Sequence, residues 1–226
     1  MSIPSETPSD LPAPSIGDRI VQAIRRDIFD GVLASGSRIK IRDLAVRYAV
    51  SEMPVREALR QLEGEGLLDA QPHRGATVVA IDETFIRNVY EMREALSGMV
   101  AAAAATRATA SEREALRAAM VAHERAAETG DDDAILTADR NFHAILDRMA
   151  ANPVADRAMA MGRGLTESLR ARCGFGGDRR AQTVAEHRAL VAAIVAGDAR
   201  GAELFARVHV AAARADLLRQ FKATAG

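Results

Sequence analysis

Residues 41–68, IRDLAVRYAVSEMPVREALRQLEGEGLL, contain two short amphipathic helices separated by a tight break. The apolar spacing predicts one helix over 41–48 and a second from Ser51, a favourable N-cap, to about Glu63. Two glycines just beyond Glu63 end the second helix. Helices joined this closely indicate a helix-turn-helix. The side chains expected to face inward are Leu44, Ala45, Tyr48, Val55, Leu59 and Leu62.

The flanks of this stretch complete a winged helix-turn-helix. On the N-terminal side, Ser15 and Asp18 have the spacing of a capping box, and isoleucine recurs at every fourth position of the helix that follows. On the C-terminal side, two extended runs, 67–70 and 77–80, are separated by the turn-forming QPHRG. These runs predict the hairpin, or wing, of the domain.

From Asp82 onward the pattern changes to long helices without strand signals. Helices of this length bury a sizeable core as an antiparallel bundle. Ser111 and Glu114 predict a capping box near the start of the second one. The predicted fold is therefore mainly α, an N-terminal winged helix-turn-helix followed by an all-α antiparallel helical bundle. The predicted helices of the bundle cover 82–107, 111–129, 132–150, 153–172, 179–196 and 198–221.

Composition supports this division and excludes other classes. Aromatic residues are only 4% of the chain, which disfavours a β-sandwich or barrel. The single cysteine, Cys173, excludes a disulfide framework and a cysteine-based zinc finger, and suits the cytoplasm. No apolar run approaches the roughly 20 residues of a membrane helix. The predicted domains are a disordered, proline-rich tail over 1–14, the winged domain over 15–80 and the helical domain over 82–226.

The second helix of a helix-turn-helix enters the major groove, and residues near its N-terminus reach the bases. Flanking groups on the first helix and at the wing hold phosphates or enter the minor groove. The simpler hypothesis is a set of solvated surface charges, because the formal net charge of the chain is only −1. The candidate DNA-binding residues are Arg42, Ser51, Glu52, Arg56, Arg60, Arg74 and Gly75.

The same stretch resembles the GntR family of bacterial transcription regulators, whose signature has the form LA-x-x-x-x-VS-x-x-PVREAL-x-x-L-x-x-EGL. The later RGATV is similar to the wing of that family. One position departs, because Glu52 stands where the family usually has a DNA-contacting arginine. A carboxylate there repels phosphate or accepts a hydrogen bond from cytosine, so either the operator differs from the usual half-site or the affinity is weak. The resemblance implies DNA contacts at Arg42, Arg56, Arg60, Arg74 and Gly75.

Three histidines and an aspartate are predicted to point into the bundle. Two of them lie four residues apart at the edge of the apolar face of helix 132–150. The third falls among the apolar residues of helix 179–196, and the fourth is expected on an inward face with Phe205 and Val208. The candidate metal ligands are Asp139, His143, His187 and His209.

A bundle core rarely buries an aspartate without a cation or a partner. One carboxylate and three neutral imidazoles suit Zn²⁺, Ni²⁺, Mn²⁺ or Fe²⁺, with positions left open for water or a ligand. His123 is interpreted differently. It falls near Leu116 and Met120 with no carboxylate neighbour expected, so an ordinary core histidine is predicted there.

The run from Asp139 to His143, the pair EH ending at His187, and His209 are together similar to the FCD domain. This is the C-terminal effector domain of the FadR branch of GntR regulators, and the number of helices resembles its shorter, VanR-type form. The resemblance implies that the metal helps to hold a small carboxylate effector. Arg93, in YEMREAL, matches a position where the family often presents an arginine to the effector, although a surface arginine paired with a nearby glutamate is an equal alternative.

These features predict a cytoplasmic, homodimeric transcription regulator, with a repressor favoured, that reads a pseudo-palindromic double-stranded operator. A small organic acid bound at the metal and Arg93 would shift the dimer between geometries that fit the operator or do not. Two alternatives stay open at this stage. One is a metal-dependent enzyme acting on a small organic acid. The other is a regulator whose metal is only structural.

Overall fold

The computed structural model describes residues 15–71 and 75–225. The chain divides into two compact units, Met1–Ala80 and Ile81–Gly226. The predicted fold class is confirmed, because a small winged helix-turn-helix unit precedes a unit built from helices. The tail predicted over 1–14 lies outside the described residues. Among the described helices, none is both long and apolar enough to cross a membrane.

The first unit combines three helices with a small antiparallel sheet in which β3 (Gly75–Val78) lies between β1 (Arg38–Ile39) and β2 (Leu68–Gln71). The pairing sets Thr77 opposite Arg38 on one side and opposite Asp69 on the other. Strand β1 is absent from the sequence prediction, because two residues carry no periodicity and become a strand only by pairing. The elements are α1 Ile16–Phe29, β1 Arg38–Ile39, α2 Ile41–Arg47, α3 Glu52–Gly64, β2 Leu68–Gln71 and β3 Gly75–Val78.

The start of α1 and the turn between α2 and α3 form where the sequence predicts them. The Ser15–Asp18 capping box opens α1, with both reciprocal hydrogen bonds present. The break between α2 and α3 is a turn in which Ala49 adopts a left-handed φ of 54°. Val55 and Leu62 of α3 are completely buried, so this helix is held on its inner side and leaves its outer side to solvent.

The second unit consists, over its described residues, of six helices joined by short loops. Long α4 and α9 pack side by side, α5 packs on α6, and α8 packs on both α5 and α9. Their apolar faces meet in a core that includes Leu116, Phe142 and Ile194. The helices are α4 Glu83–Arg107, α5 Ala110–Thr129, α6 Asp132–Ala150, α7 Pro153–Cys173, α8 Arg179–Ala196 and α9 Ala199–Ala225.

Two local predictions in this unit are wrong. The capping box of α5 is formed by Thr109 and Glu112 rather than by Ser111 and Glu114, so the helix begins one residue earlier than predicted. On α9, Phe205 is 36% and Val208 50% exposed, whereas the sequence pattern places both on an inward face with His209. The inner face of α9, which packs against α4 and α8, instead carries alanines alongside larger side chains. Its buried members include Ala202, Ala206, His209 and Val210.

Candidate metal centre and nucleic-acid interface

Helix α3 presents a polar face to solvent at the position of a recognition helix. Ser51 is its N-cap residue, although its side chain makes no capping hydrogen bond. Glu52, Arg56 and Arg60 follow on the exposed side. An exposed N-terminal turn with basic residues one turn apart is the arrangement that can enter a major groove.

Glu52 and Arg56 form an ion pair on this face. Glu52 Oε2 lies 2.9 Å from Arg56 Nη2, and the two side chains are 48% and 50% exposed. Exposed pairs spaced by four residues on a helix contribute only about 0.3–0.5 kcal/mol. A DNA phosphate can therefore displace Glu52 from Arg56, but the carboxylate still cancels the charge of one arginine at the groove.

The other candidate DNA-binding residues lie on α2 and at the wing. Arg42 is exposed in the first turn of α2. Gly75 is the first residue of β3 and pairs with Gln71 of β2. Arg74 lies outside the described residues, so its role at the tip of the wing stays a prediction.

Inside the second unit, four helices bring five polar side chains together. Asp139 Oδ1 lies 3.7 Å from Nε2 of His143 and 3.8 Å from Nε2 of both His123 and His187. His209, from α9, joins His143 and His187 in a group whose candidate ligand atoms lie within 4.8 Å of one another. A second group of His123, Asp139 and His187 meets the same limit, so the four predicted ligands and His123 fall into two groups that share His187.

The distances around Asp139 fit shared ligation better than hydrogen bonding. At 3.7–3.8 Å they exceed normal hydrogen-bond lengths. Two donors that each lie about 2.1 Å from one ion at tetrahedral angles are about 3.4 Å apart. In addition, Nε2 of His143 and both ring nitrogens of His187 are buried without a hydrogen-bond partner. Buried polar atoms seldom lack a partner, so this donor set fits a divalent transition-metal ion.

Protonation also favours metal binding. Burial lowers the pKa of His187 well below its ordinary value and lowers the pKa of His143 to about 4. Burial alone would raise the pKa of Asp139, but the attraction of His143 and His209 outweighs it and leaves that pKa lowered. The imidazoles of His143 and His187 are therefore neutral and the carboxylate of Asp139 is ionised near pH 7, which are the forms that bind a metal.

His209 is oriented by a carboxylate behind it. Its Nδ1 lies 2.7 Å from Glu186 Oε2, and Arg179 donates hydrogen bonds of 2.7 Å to each oxygen of the same carboxylate. Burial tends to raise the pKa of Glu186, but the hydrogen bonds from His209 and Arg179 leave it lowered. An ionised Glu186 fixes the proton on Nδ1 and leaves Nε2 of His209 available as a ligand.

A cavity of about 80 Å³ opens beside this cluster, lined by Asp139, His143 and His209 on one side and by Arg93 on another. Arg93 Nη1 donates a 2.9 Å hydrogen bond to Thr166, and its guanidinium lies over the Tyr90 ring. Its buried Nε has no hydrogen-bond partner, and within the described part of the chain it forms no ion pair. This arginine can therefore receive an anion without first losing a carboxylate.

The packing of α7 leaves space for Arg93. A Cβ atom at Gly162 would lie 2.9 Å from Arg93 Cγ, so the glycine allows the arginine to cross the helix closely. Arg163 and Arg170 also line the cavity, but they are paired with Asp147 and Asp216 respectively. Arg172, also on α7, is exposed. Compared with these three arginines, Arg93 is thus the best arranged to bind an anion.

Comparison with known families separates the two units in the same way. The pattern described as "Bacterial regulatory proteins, gntR family" matches residues 16–78, and that of the FCD domain matches residues 88–212. The chain belongs to the GntR family and carries an FCD domain. This membership favours the transcription-regulator interpretation of the sequence over the metal-dependent enzyme.

Individual relatives of this GntR-family chain are also named as transcriptional repressors. It is 32% identical over 139 residues to the HTH-type transcriptional repressor RspR of Escherichia coli K12, a match that covers 62% of this chain and 61% of RspR. The matched region is thus less than two thirds of that relative. Over 208 residues it is 30% identical to the "Probable D-xylose utilization operon transcriptional repressor" of Paenarthrobacter nicotinovorans, covering 91% and 90% of the two chains.

Solved structures share the fold of this regulator. Escherichia coli McbR/YncC superimposes with a TM-score of 0.69 at 21% sequence identity, and the match covers 92% of this chain and 100% of that one. At this identity the likeness concerns the arrangement of helices and strands. The site is therefore argued from the side chains of this FCD domain.

The sequence prediction missed three residues of this FCD domain. No carboxylate neighbour is predicted for His123, but Asp139 approaches it to 3.8 Å because α5 packs directly on α6. Glu186 precedes His187 in the chain, yet nothing in the sequence links it to His209, which lies 23 positions further on. The only available signal for Glu186 and Arg179 was their spacing of seven residues, which places them on one face of α8.

Proposed function

We propose that this regulator is a cytoplasmic, homodimeric repressor whose operator binding is controlled by a small carboxylate effector held beside a metal ion in the FCD domain. The observation that carries the proposal is the single cavity shared by the Asp139 cluster and Arg93. A metal ion and an unpaired guanidinium facing one cavity are complementary to a short organic acid.

The ion would be held by Asp139, His143, His187 and His209. When bound, a divalent Zn²⁺, Ni²⁺, Mn²⁺ or Fe²⁺ ion supplies an electrophilic centre that accepts a carboxylate or hydroxyl oxygen. Arg93 would receive the carboxylate group by paired hydrogen bonds. The cavity of about 80 Å³ suits a short acid, since a cavity of about 150 Å³ holds benzene.

Operator binding would use the exposed face of α3 together with Arg42 and the wing. A pseudo-palindromic operator requires two copies of the domain, so dimerisation follows from this mode of recognition. The FCD domain offers exposed apolar side chains for such an interface. Met99 on α4 and Leu204 and Val208 on α9 are 42%, 58% and 50% exposed.

The test is fluorescence anisotropy of the full-length protein on DNA from upstream of its own gene, with scrambled DNA as the control. A panel of short mono- and dicarboxylic acids is then added to metal-loaded and chelated protein. We expect preference for the upstream DNA, and release by at least one acid only when the protein is metal-loaded and Arg93 is intact. Arg172→Ala is the matched control for Arg93→Ala, because Arg172 is an exposed arginine in the same domain.

Equal binding to both DNAs would contradict the regulator proposal. Specific binding that no acid alters in the metal-loaded protein would contradict effector control. That second result would favour the alternative in which the metal is structural.

A further inference from the structure

His123 is a buried imidazole that the proposed function leaves unused. It is 1% exposed, and neither of its ring nitrogens has a hydrogen-bond partner. An imidazole that is buried for packing normally satisfies at least one nitrogen, because an unpaired buried polar atom is destabilising. Two unpaired nitrogens on one ring therefore point to a ligand.

The unpaired Nε2 of His123 approaches Asp139 about as closely as two of the predicted ligands do. It lies 3.8 Å from Asp139 Oδ1, matching the corresponding distances of 3.7 Å for His143 and 3.8 Å for His187. Its ring centroid is 4.9 Å from that of His187. The candidate ligand atoms of His123, Asp139 and His187 lie within 4.8 Å of one another, the same limit that groups His143, His187 and His209.

Neither a hydrogen bond, an ion pair nor apolar packing accounts for the position of His123. A hydrogen bond to Asp139 is excluded by the separation of 3.8 Å. An ion pair of His123 with Asp139 would close to about 2.7–2.9 Å, well short of the observed 3.8 Å. Apolar packing against Leu116 and Met120 would be served better by a leucine, which leaves no nitrogen unpaired.

We propose that His123 is a fifth protein ligand, so that α5, α6, α8 and α9 together hold the ion through four imidazoles and one carboxylate. This inference rests on the proposed metal site and extends it. Five protein donors exceed the four of a tetrahedral zinc site. They leave one position of an octahedron for an effector oxygen, and the nitrogen-rich set favours Ni²⁺.

The experiment compares full-length wild type, His123→Leu, His123→Gln and Met120→Leu after removal of metal by chelation. Met120→Leu is the control, because Met120 is buried on α5 one turn from His123 but carries no ligand atom of the kinds proposed. Ni²⁺ and Zn²⁺ affinities are measured by competition with a chromophoric chelator, and the absorption spectrum of the Co²⁺-loaded protein reports coordination number. Thermal unfolding of the chelated proteins reports whether the core tolerates each change.

We expect both His123 variants to bind Ni²⁺ at least about 10-fold more weakly than wild type, since even loss of an outer partner of a ligand costs 10–100-fold. Met120→Leu should keep its affinity. Chelated His123→Leu should unfold at or above the wild-type temperature, because the change removes unpaired nitrogens. Co²⁺ bound to wild type should show the weak visible absorption of five or six ligands, and a variant spectrum should differ from it.

Three results would contradict this inference, and they differ in what they leave standing. Wild-type metal binding with unchanged affinity and an unchanged Co²⁺ spectrum in both His123 variants would overturn the fifth ligand and leave the proposed four-ligand site standing. Intense, tetrahedral Co²⁺ absorption in wild type would also overturn it, even if neither variant folds. A wild-type protein that binds none of these ions would overturn the metal site of the proposed function itself.

Discussion

At the scale of single residues, Glu186 shows how a side chain outside the ligand set can control the site. Arg179 donates a hydrogen bond to each oxygen of its carboxylate, and His209 Nδ1 contacts one of them, Oε2. The pair fixes both the tautomer and the direction of the imidazole. A ligand that is buried on a helix and oriented in this way loses little freedom when the metal binds.

Glu186→Gln is expected to lower metal affinity by about 10–100-fold, because the amide cannot hold His209 and Arg179 as an ionised carboxylate does. Competition with a chromophoric chelator measures the effect. Glu167→Gln is the matched control, since Glu167 lines the same cavity but pairs with Arg140 near its edge. Equal affinity in the two variants would show that Glu186 has no positioning role.

Single residues also show which members of the site could be predicted from the sequence and which could not. Asp139 and His143 were found because a spacing of four residues places them together on one helix. His123 and Arg179 were not, because their partners lie on other elements and no periodicity relates them. Helical position predicted that His187 and His209 point inward, and the resemblance to a known domain joined them to the same set but assigned no role to His123.

At the scale of elements, α3 is the helix that the proposed function assigns to DNA recognition. Its buried side follows directly from the apolar spacing, with Val55 and Leu62 completely buried. Its exposed side carries a feature that the sequence only suggested. Glu52 was identified as a departure from the family pattern, and the structure pairs it with Arg56. The affinity of this helix for DNA therefore depends on an ion pair that must open.

Arg56→Ala is expected to weaken operator binding by about 1–3 kcal/mol, the usual cost of removing a base-contacting arginine. Glu52→Gln should act in the opposite direction and strengthen binding to all DNA sequences, because it frees Arg56 and removes a charge that repels phosphate. Anisotropy across a salt series checks both. Arg117→Ala is the control, an arginine in an exposed ion pair on α5. Unchanged binding in both α3 variants would show that another surface contacts the operator.

At the scale of the whole molecule, the cluster around Asp139 brings buried histidines together from different helices of the second unit. Burial lowers the pKa of His123, His143 and His187. In the unfolded chain each titrates near pH 6.5. Below that value the unfolded chain binds more protons than the folded one, so the free energy of unfolding falls as the pH falls.

The chelated protein should therefore lose stability on acidification from about pH 6.5, with the contribution of His143 complete near pH 4. Each such histidine adds up to about 1.4 kcal/mol per pH unit to the slope. His187→Leu should make the slope shallower by about that amount, and thermal unfolding in chelator at pH 5.5 and 7.5 measures it. The Met120→Leu protein serves as the control for repacking. An identical slope in His187→Leu and wild type would contradict the buried, neutral state of His187.

The sequence by itself determined the order of the elements, the bounds of the long helices to within a few residues and the helix-turn-helix. Apolar spacing, helix caps and helix-ending glycines are local properties, so their effect on secondary structure does not depend on tertiary contacts. Only the tertiary structure decided which side chains meet. The two-residue strand β1 exists through its pairing with β3, and the buried face of α9 is set by its packing against α4 and α8. The approach of His123 to Asp139 and of Glu186 to His209 likewise depends on contacts between helices, which periodicity along a single helix does not encode.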